Sequence, residues 1–218
     1  MCDLIRKVQQ KVFHLPARNS SLNPPKICCI DGNIAAGKST LLHELKSRGY
    51  LVFEEELENW GKLLEKCYSD PKRWMCSLQI KILNSMRNQF EIISEHNNLL
   101  HEFIFIERSP LSSMIFVEKG FENGNLDIEE LDLICQVYRN LFWRPDISLY
   151  IETPVEECFK RKNKRARKCE SQVSKNDLQY LHDKYVELYK KSDECFIIDG
   201  KSKTSKIADN IIFCLNKK

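Results

Sequence analysis

Gly32-Asn33-Ile34-Ala35-Ala36-Gly37-Lys38-Ser39-Thr40 stands between an apolar run, Lys26-Ile27-Cys28-Cys29-Ile30, and a helix-forming stretch over residues 38–48. Two glycines bracket four residues and are followed by Lys and Ser, the spacing of a phosphate-binding loop. The glycines let backbone N–H groups turn inward around phosphate oxygens. Lys38 reaches the outer phosphates, and the Ser39 hydroxyl is a ligand for magnesium. The flanks carry the reading. Residues 26–30 are apolar enough for a buried parallel strand. Leu41, Leu42 and Leu45 share one face of the following helix, and Gly49 is placed to cap its C-terminus. Strand, glycine loop, helix is the order that such a loop requires. A glycine-rich turn that only joins strand to helix is the plainer alternative.

Outward from the loop, five short apolar runs read as strands: 26–31, 50–53, 103–107, 146–151 and 195–199. Helical patterns separate them. Residues 71–98 contain no Gly or Pro after Pro71. Residues 127–142 repeat apolar positions at Ile128, Leu131, Leu133, Ile134, Val137, Tyr138 and Leu141, and 174–191 and 203–216 also read as helices. This alternation predicts an α/β fold, a five-stranded parallel sheet with helices on both faces. Ligands of such sheets sit at the carboxyl ends of the strands. There is no internal repeat and no low-complexity tract.

The chain has 218 residues, of which 42% are hydrophobic and 30% charged, values ordinary for one globular domain with a sizeable core. A net charge of +3 is too small to argue for a nucleic-acid partner. No apolar run approaches the roughly 20 residues needed to cross a bilayer, so no membrane partner is expected. The ten cysteines are scattered and form no Cys-x-x-Cys pair. With no signal peptide recognised, reduced thiols and a cytoplasmic location are expected. Residues 1–25 stand apart as an N-terminal extension before a domain over 26–218. They carry Arg6, Lys7, Lys11 and Arg18 against one acid, Asp3, and end in Ser20-Ser21-Leu22-Asn23-Pro24-Pro25. Leu4, Ile5, Val8 and Val12 could share a helix face, so a mitochondrial transit segment is the alternative to a plain extension.

Chemistry clusters after the strands. Strand two is followed by Glu54, Glu55, Glu56 and Glu58, ahead of Trp60. They read equally as an acidic helix start, favoured by the macrodipole, or as the source of a general base. Strand three ends in Glu107-Arg108-Ser109. There Glu107 can help to hold magnesium, and Arg108 can hold a substrate oxygen or orient a carboxylate. A structural ion pair is the alternative. After strand four, Thr153-Pro154 opens a helix into Arg161-Lys162-Asn163-Lys164-Arg165-Ala166-Arg167-Lys168, in which six of eight residues are cationic. Beside a phosphate loop this predicts a cationic lid over a triphosphate, since phosphoryl transfer spreads charge that arginine neutralises. A solvated helix face or a nuclear-localisation-like patch is the alternative.

Together these motifs resemble the deoxynucleoside kinase family, from about Lys26 to the C-terminus, and most closely its insect multisubstrate and mitochondrial thymidine kinase branch. The resemblance implies a P-loop nucleotide kinase fold with an arginine-rich lid. It implies ATP as phosphate donor, magnesium, a small deoxynucleoside as acceptor, and a homodimer. Glu55, five residues before Trp60, falls on the family's base for the 5′-hydroxyl, although Glu56 stands where the family usually has proline. Glu54 and Glu56 are its neighbours if the alignment slips by one. Trp60 would line the nucleoside pocket, Tyr68 would hold the sugar 3′-hydroxyl, and Gln79 would pair with the base. Arg108 would lie near the 5′-oxygen, and Glu107 with Ser39 near magnesium. Arg161, Arg165 and Arg167 fall on phosphate-contacting arginines, and Glu170 on an acid that closes onto the 3′-hydroxyl. Val117 replaces an aromatic residue that stacks on the base. Met86 and Ser113 stand where relatives favouring deoxycytidine or purines have an Arg–Asp pair, which points to pyrimidine preference, thymidine included. The rival functions are a nucleoside-monophosphate kinase, such as thymidylate kinase, and a non-catalytic kinase-like subunit.

Overall fold

A computed structural model of the chain describes residues 25–95, 101–141, 144–190 and 195–216. The expected extension lies outside these residues except for Pro25, as do the last positions of the helices expected over 71–98, 127–142 and 174–191. Contacts group the described chain into two units. One is built from Pro25–Glu55, Leu100–Arg108 and Pro145–Lys218, and the described part of the other from Glu56–Leu99 and Ser109–Arg144.

The first unit holds the expected sheet. Strands β1 (Lys26–Gly32), β2 (Leu51–Phe53), β3 (Phe103–Glu107), β4 (Ile147–Glu152) and β5 (Cys195–Asp199) run parallel in the order β2-β3-β1-β4-β5. Central β1 pairs Ile27 with Ile104 of β3 on one side and Asp31 with Tyr150 of β4 on the other. Burial on both faces explains its unbroken apolar run. Cys28 and Cys29 are fully enclosed, and burial first of all drives the Cys28 thiol far above its ordinary range, so these thiols act as small hydrophobes.

Four helices of this unit cover both faces. Helix α1 (Lys38–Ser47) buries Leu41, Leu42 and Leu45, the face expected from the sequence. Gly49 follows it at φ +90° and donates its N–H to Lys46 O, the left-handed ending that glycine permits. On β4, Leu149 joins Ile211 and Leu215 of the last helix along one cleft, whereas the next residue, Tyr150, stacks on Tyr185 and Tyr189. Successive strand residues point to opposite faces, so the two helices concerned lie on opposite sides of the sheet.

The second unit is helical: α2 (Leu57–Ser69), α3 (Pro71–Glu95), α4 (Pro110–Glu122) and α5 (Ile128–Arg139). Trp60, Cys67 and Leu78 are buried together against Leu64, Trp74, Met75 and Ile82, which joins α2 to α3. Helix α4 begins at Ser109, whose side chain accepts from Ser112 N, and carries Pro110 at its first turn. It is buried nearly all round, so it has no polar face to mark it as a helix in the sequence. Helix α5 starts with a capping box between Asp127 and Glu130. The remaining helices, in the first unit, are α6 (Val155–Arg165), α7 (Lys175–Tyr189) and α8 (Thr204–Leu215). Among the described residues no helix is long and apolar enough to cross a membrane.

Candidate active site

The β1–α1 turn forms the floor of a cavity of about 660 Å³. Gly32 has φ +152°, and a Cβ there would lie 2.9 Å from Ile151 O. Gly37, at φ +115°, precedes α1 without a capping side chain. The first N–H groups of α1 are therefore left for a ligand, and a helix N-terminus favours an anion. The loop is held from outside as well. Asn33 Nδ2 donates to Leu178 O at 2.8 Å, and Thr153 Oγ1 donates to Ala36 O at 2.9 Å.

Lys38 is 4% exposed and donates from Nζ to Asn33 O at 2.9 Å and Gly32 O at 3.3 Å. Burial pushes its ammonium down to about 8, Arg108 acts in the same direction, and Glu107, Glu55 and Asp31 oppose. Ser39 Oγ lies 3.1 Å from both carboxylate oxygens of Glu107, and Lys38 Nζ lies 3.9 Å from the same group. Hydroxyl and carboxylate thus converge at the start of α1.

Arg108 follows β3 in a left-handed conformation, φ +68°, which for a non-glycine residue costs about 1–3 kcal/mol. Its N–H donates to Ile30 O at 3.0 Å and its Nε meets Glu55 Oε1 at 2.9 Å. Burial alone would favour loss of its proton, but Tyr185, Glu55, Glu107 and Asp31 outweigh burial and hold the guanidinium well above its ordinary range.

The acidic cluster divides by task. Glu54 is exposed and meets His43 at 3.1 Å. Glu55 pairs with Arg108 and lines the cavity. Glu56 precedes α2 and accepts from Asn59 and Ser85. Glu58 lies in the first turn of α2, as an acidic helix start requires.

The cationic run also divides. Arg161 donates to Ala36 O at 3.1 Å, to Gly200 O at 3.0 Å and to Glu157 at 2.8 Å. Arg165 donates to Glu170 at 2.6 Å, and Arg167 lies 3.7 Å from the same carboxylate. Lys162 is buried and donates to Val173 O at 2.7 Å, a structural task that the charge count did not reveal. Arg161, Arg165, Arg167 and Glu170 all line the cavity.

A phosphate loop, a carboxylate–arginine pair and a basic lid on one cavity carry the motifs in the expected order, and the match to the deoxynucleoside kinase family spans residues 28–213. The chain belongs to the deoxynucleoside kinase family. It is 31% identical over 193 residues to a protein of Frog virus 3 assigned to the deoxynucleoside kinases, covering 88% of this chain and 95% of that one. It is 30% identical to deoxycytidine kinase 2 of Gallus gallus over 195 residues, 75% of this chain and 74% of the relative. The solved structure of deoxyadenosine kinase from M. mycoides, with dCMP and a flexible dCDP bound, matches at TM-score 0.76 and 26% identity, over 88% of this chain and 100% of that one. The deoxyadenosine kinase from M. mycoides has also been solved with dCTP and with dATP bound.

The remaining family positions lie in the helical unit. Trp60 is buried in the α2–α3 core, and Tyr68, near the end of α2, is half-buried. Gln79 is 3% exposed on α3. Its Nε2 lies 3.7 Å from Met75 Sδ, and its Oε1 has no hydrogen-bond partner among the described residues. Ser113 Oγ lies 3.8 Å from Met86 Sδ, so the two positions compared with an Arg–Asp pair are in contact. Val117 is fully buried on α4. Asp31, Tyr185 and Tyr189 form polar contacts beside the loop that motif reading missed. For the two tyrosines the signal in the sequence is the spacing of Leu178, Leu181, Tyr185 and Tyr189 along one face of α7.

Proposed function

We propose that this chain transfers the γ-phosphate of ATP to the 5′-hydroxyl of a deoxynucleoside, with pyrimidines preferred. The observation that carries the reading is the Glu55–Arg108 pair at 2.9 Å on the cavity floored by Lys38 and Ser39. A triphosphate on residues 32–40 is met by loop N–H groups, Lys38 and the lid arginines. Glu55 takes the 5′-hydroxyl proton as that oxygen attacks the γ-phosphorus and the bond to ADP breaks. Arg108 holds the carboxylate and the 5′-oxygen. No covalent intermediate is needed, so positioning and charge neutralisation supply the rate.

Among the described residues no group of three or more His, Cys, Asp or Glu side chains is placed to hold a metal. Ser39 and Glu107 nevertheless fit magnesium, which takes hard oxygen ligands and commonly binds through one or two carboxylates plus substrate phosphates. When bound, magnesium would neutralise charge on the phosphates.

Gln79 supports a nucleobase as the acceptor's recognised part. Its buried carbonyl oxygen has no partner among the described residues, and a buried group left so costs about 1–3 kcal/mol. A planar ring edge with an adjacent donor and acceptor would satisfy the amide. Tyr68 and Glu170 are the candidates for the 3′-hydroxyl, and Trp60 and Val117 for packing on the nucleoside. Met86 and Ser113 stand where relatives favouring deoxycytidine or purines have an Arg–Asp pair, and the lack of that pair supports the thymidine-accepting, pyrimidine-preferring reading. The exposed Ile92, Ile128 and Leu133 of the helical unit support a homodimer built through helices.

The test is the purified full chain with ATP, magnesium and each of the four deoxynucleosides. The expected products are 5′-monophosphates, formed fastest from thymidine and deoxycytidine. Phosphorylation of thymidine monophosphate in place of thymidine, or no product from any deoxynucleoside, would overturn the proposal.

A further inference from the structure

We infer that Tyr185 is a positioning residue: its hydroxyl holds Arg108 and, through Arg108, sets the carboxylate of Glu55. The inference rests on the reading of Glu55 as the base. Arg108 Nη1 donates to Tyr185 Oη at 2.7 Å and to Gly32 O at 3.3 Å, while Nε meets Glu55 at 2.9 Å. The guanidinium is a rigid planar fork, so anchoring Nη1 fixes the direction in which Nε presents its proton. The contact to Tyr185 is shorter than the one to Gly32.

Tyr185 is itself held. It is fully buried and stacks on Tyr150 at 5.8 Å and 16° and on Tyr189 at 6.2 Å and 11°. Tyr189 stacks on Tyr150 at 5.4 Å and donates its hydroxyl proton to Asp31 Oδ2 at 2.6 Å. Asp31 directly precedes Gly32. The stack therefore joins the residue entering the phosphate loop to the arginine that holds the base. Tyr185 and Tyr189 are four residues apart on α7, hence on one face, and the Ser174–Asp177 capping box fixes the start of that helix. Glu55 has weaker support of its own, because it follows a three-residue strand whose residues are only half-buried. A misplacement of about 1 Å near reacting atoms can cost roughly 10²-fold in rate, so the anchoring of Arg108 bears on turnover.

Tyr185→Phe keeps the ring and its stacking and removes only the hydroxyl. The expected result is a fall in kcat of about tenfold or more with KM for ATP unchanged and the fold retained. In a Glu55→Gln background the same substitution should add little, because it acts through that carboxylate. Tyr150→Phe removes a hydroxyl from the same stack, but not the one bonded to Arg108, and should leave kcat intact. A readout independent of turnover is the hydrogen-exchange rate of the Arg108 Nε proton in ¹⁵N-arginine-labelled protein, which should rise in Tyr185→Phe and not in Tyr150→Phe. Unchanged exchange and unchanged kcat in Tyr185→Phe overturn the inference, as does an equal loss in Tyr150→Phe. If the wild-type chain phosphorylates no deoxynucleoside, the reading of Glu55 as base falls with the kinase proposal, while the exchange rates still decide whether Tyr185 holds Arg108.

Discussion

Around the phosphate loop, Lys38, Glu107, Arg108 and Asp31 are buried and each has a charged or hydrogen-bonding partner. In the helical unit the comparable buried amide, Gln79, leaves its carbonyl oxygen without a partner among the described residues, and the buried positions Met86, Ser113 and Val117 of the same unit are soft or small. A triphosphate presents the same charges whatever its base, so its site can be built from backbone and fixed charge. A base is chosen by shape and by one or two polar contacts, so a recognition site needs an unsatisfied group. The two regions differ in what remains for a ligand to supply.

The largest expected effect tests the charged region. Glu55→Gln should lower kcat by about 10²–10⁴-fold, the range of general base catalysis, with far-UV circular dichroism unchanged. Glu54→Gln, in an exposed pair with His43, should leave kcat within about twofold. Equal losses in the two variants would remove the distinction between these carboxylates.

Gln79→Leu should show opposite signs for activity and stability. Loss of the amide should lower kcat/KM for deoxynucleosides by roughly 10–100-fold, while removal of a buried unpaired carbonyl should keep or raise Tm. A drop in Tm with unchanged kcat/KM would show that Gln79 is a structural residue. Replacing the soft pair by Met86→Arg with Ser113→Asp should shift the ratio of kcat/KM values away from thymidine by about tenfold, as measured in competition assays.

The smallest expected effect is pH dependence. Lys38 is charged below about 8 and neutral above it. A bound triphosphate favours the charged form, so binding takes up a proton at higher pH. ATP affinity measured by calorimetry should therefore fall several-fold between about pH 7 and about pH 9, and Lys38→Arg should flatten that slope. A flat wild-type profile would place the titration outside this range.

Much of the first unit was legible from local pattern. The strand runs appeared within a residue or so of their observed bounds because a sheet buried on both faces needs continuous apolar strands. The loop was legible because its glycines serve backbone geometry, and two of its residues, Gly32 and Gly37, have φ values that side chains disfavour. Helix α4 was not legible, since burial all round erases its periodicity. Helix α2 was seen only as an acidic start, with Gly61 weakening its interior. Among the candidate residues, Glu54, Glu55 and Glu56 were equivalent as letters and became distinct only through His43, Arg108 and Ser85.

The sequence by itself determined the strands and their order along the chain, the phosphate loop and the placing of charge after the strands, because these depend on neighbours a few residues apart. The tertiary structure decided which carboxylate meets Arg108, that Lys162 is structural while Arg161 holds the loop, and that Tyr185 and Tyr189 reach Arg108 and Asp31. Those contacts join residues between 11 and 158 positions apart, and the packing of the sheet and its helices brings such partners within hydrogen-bond distance.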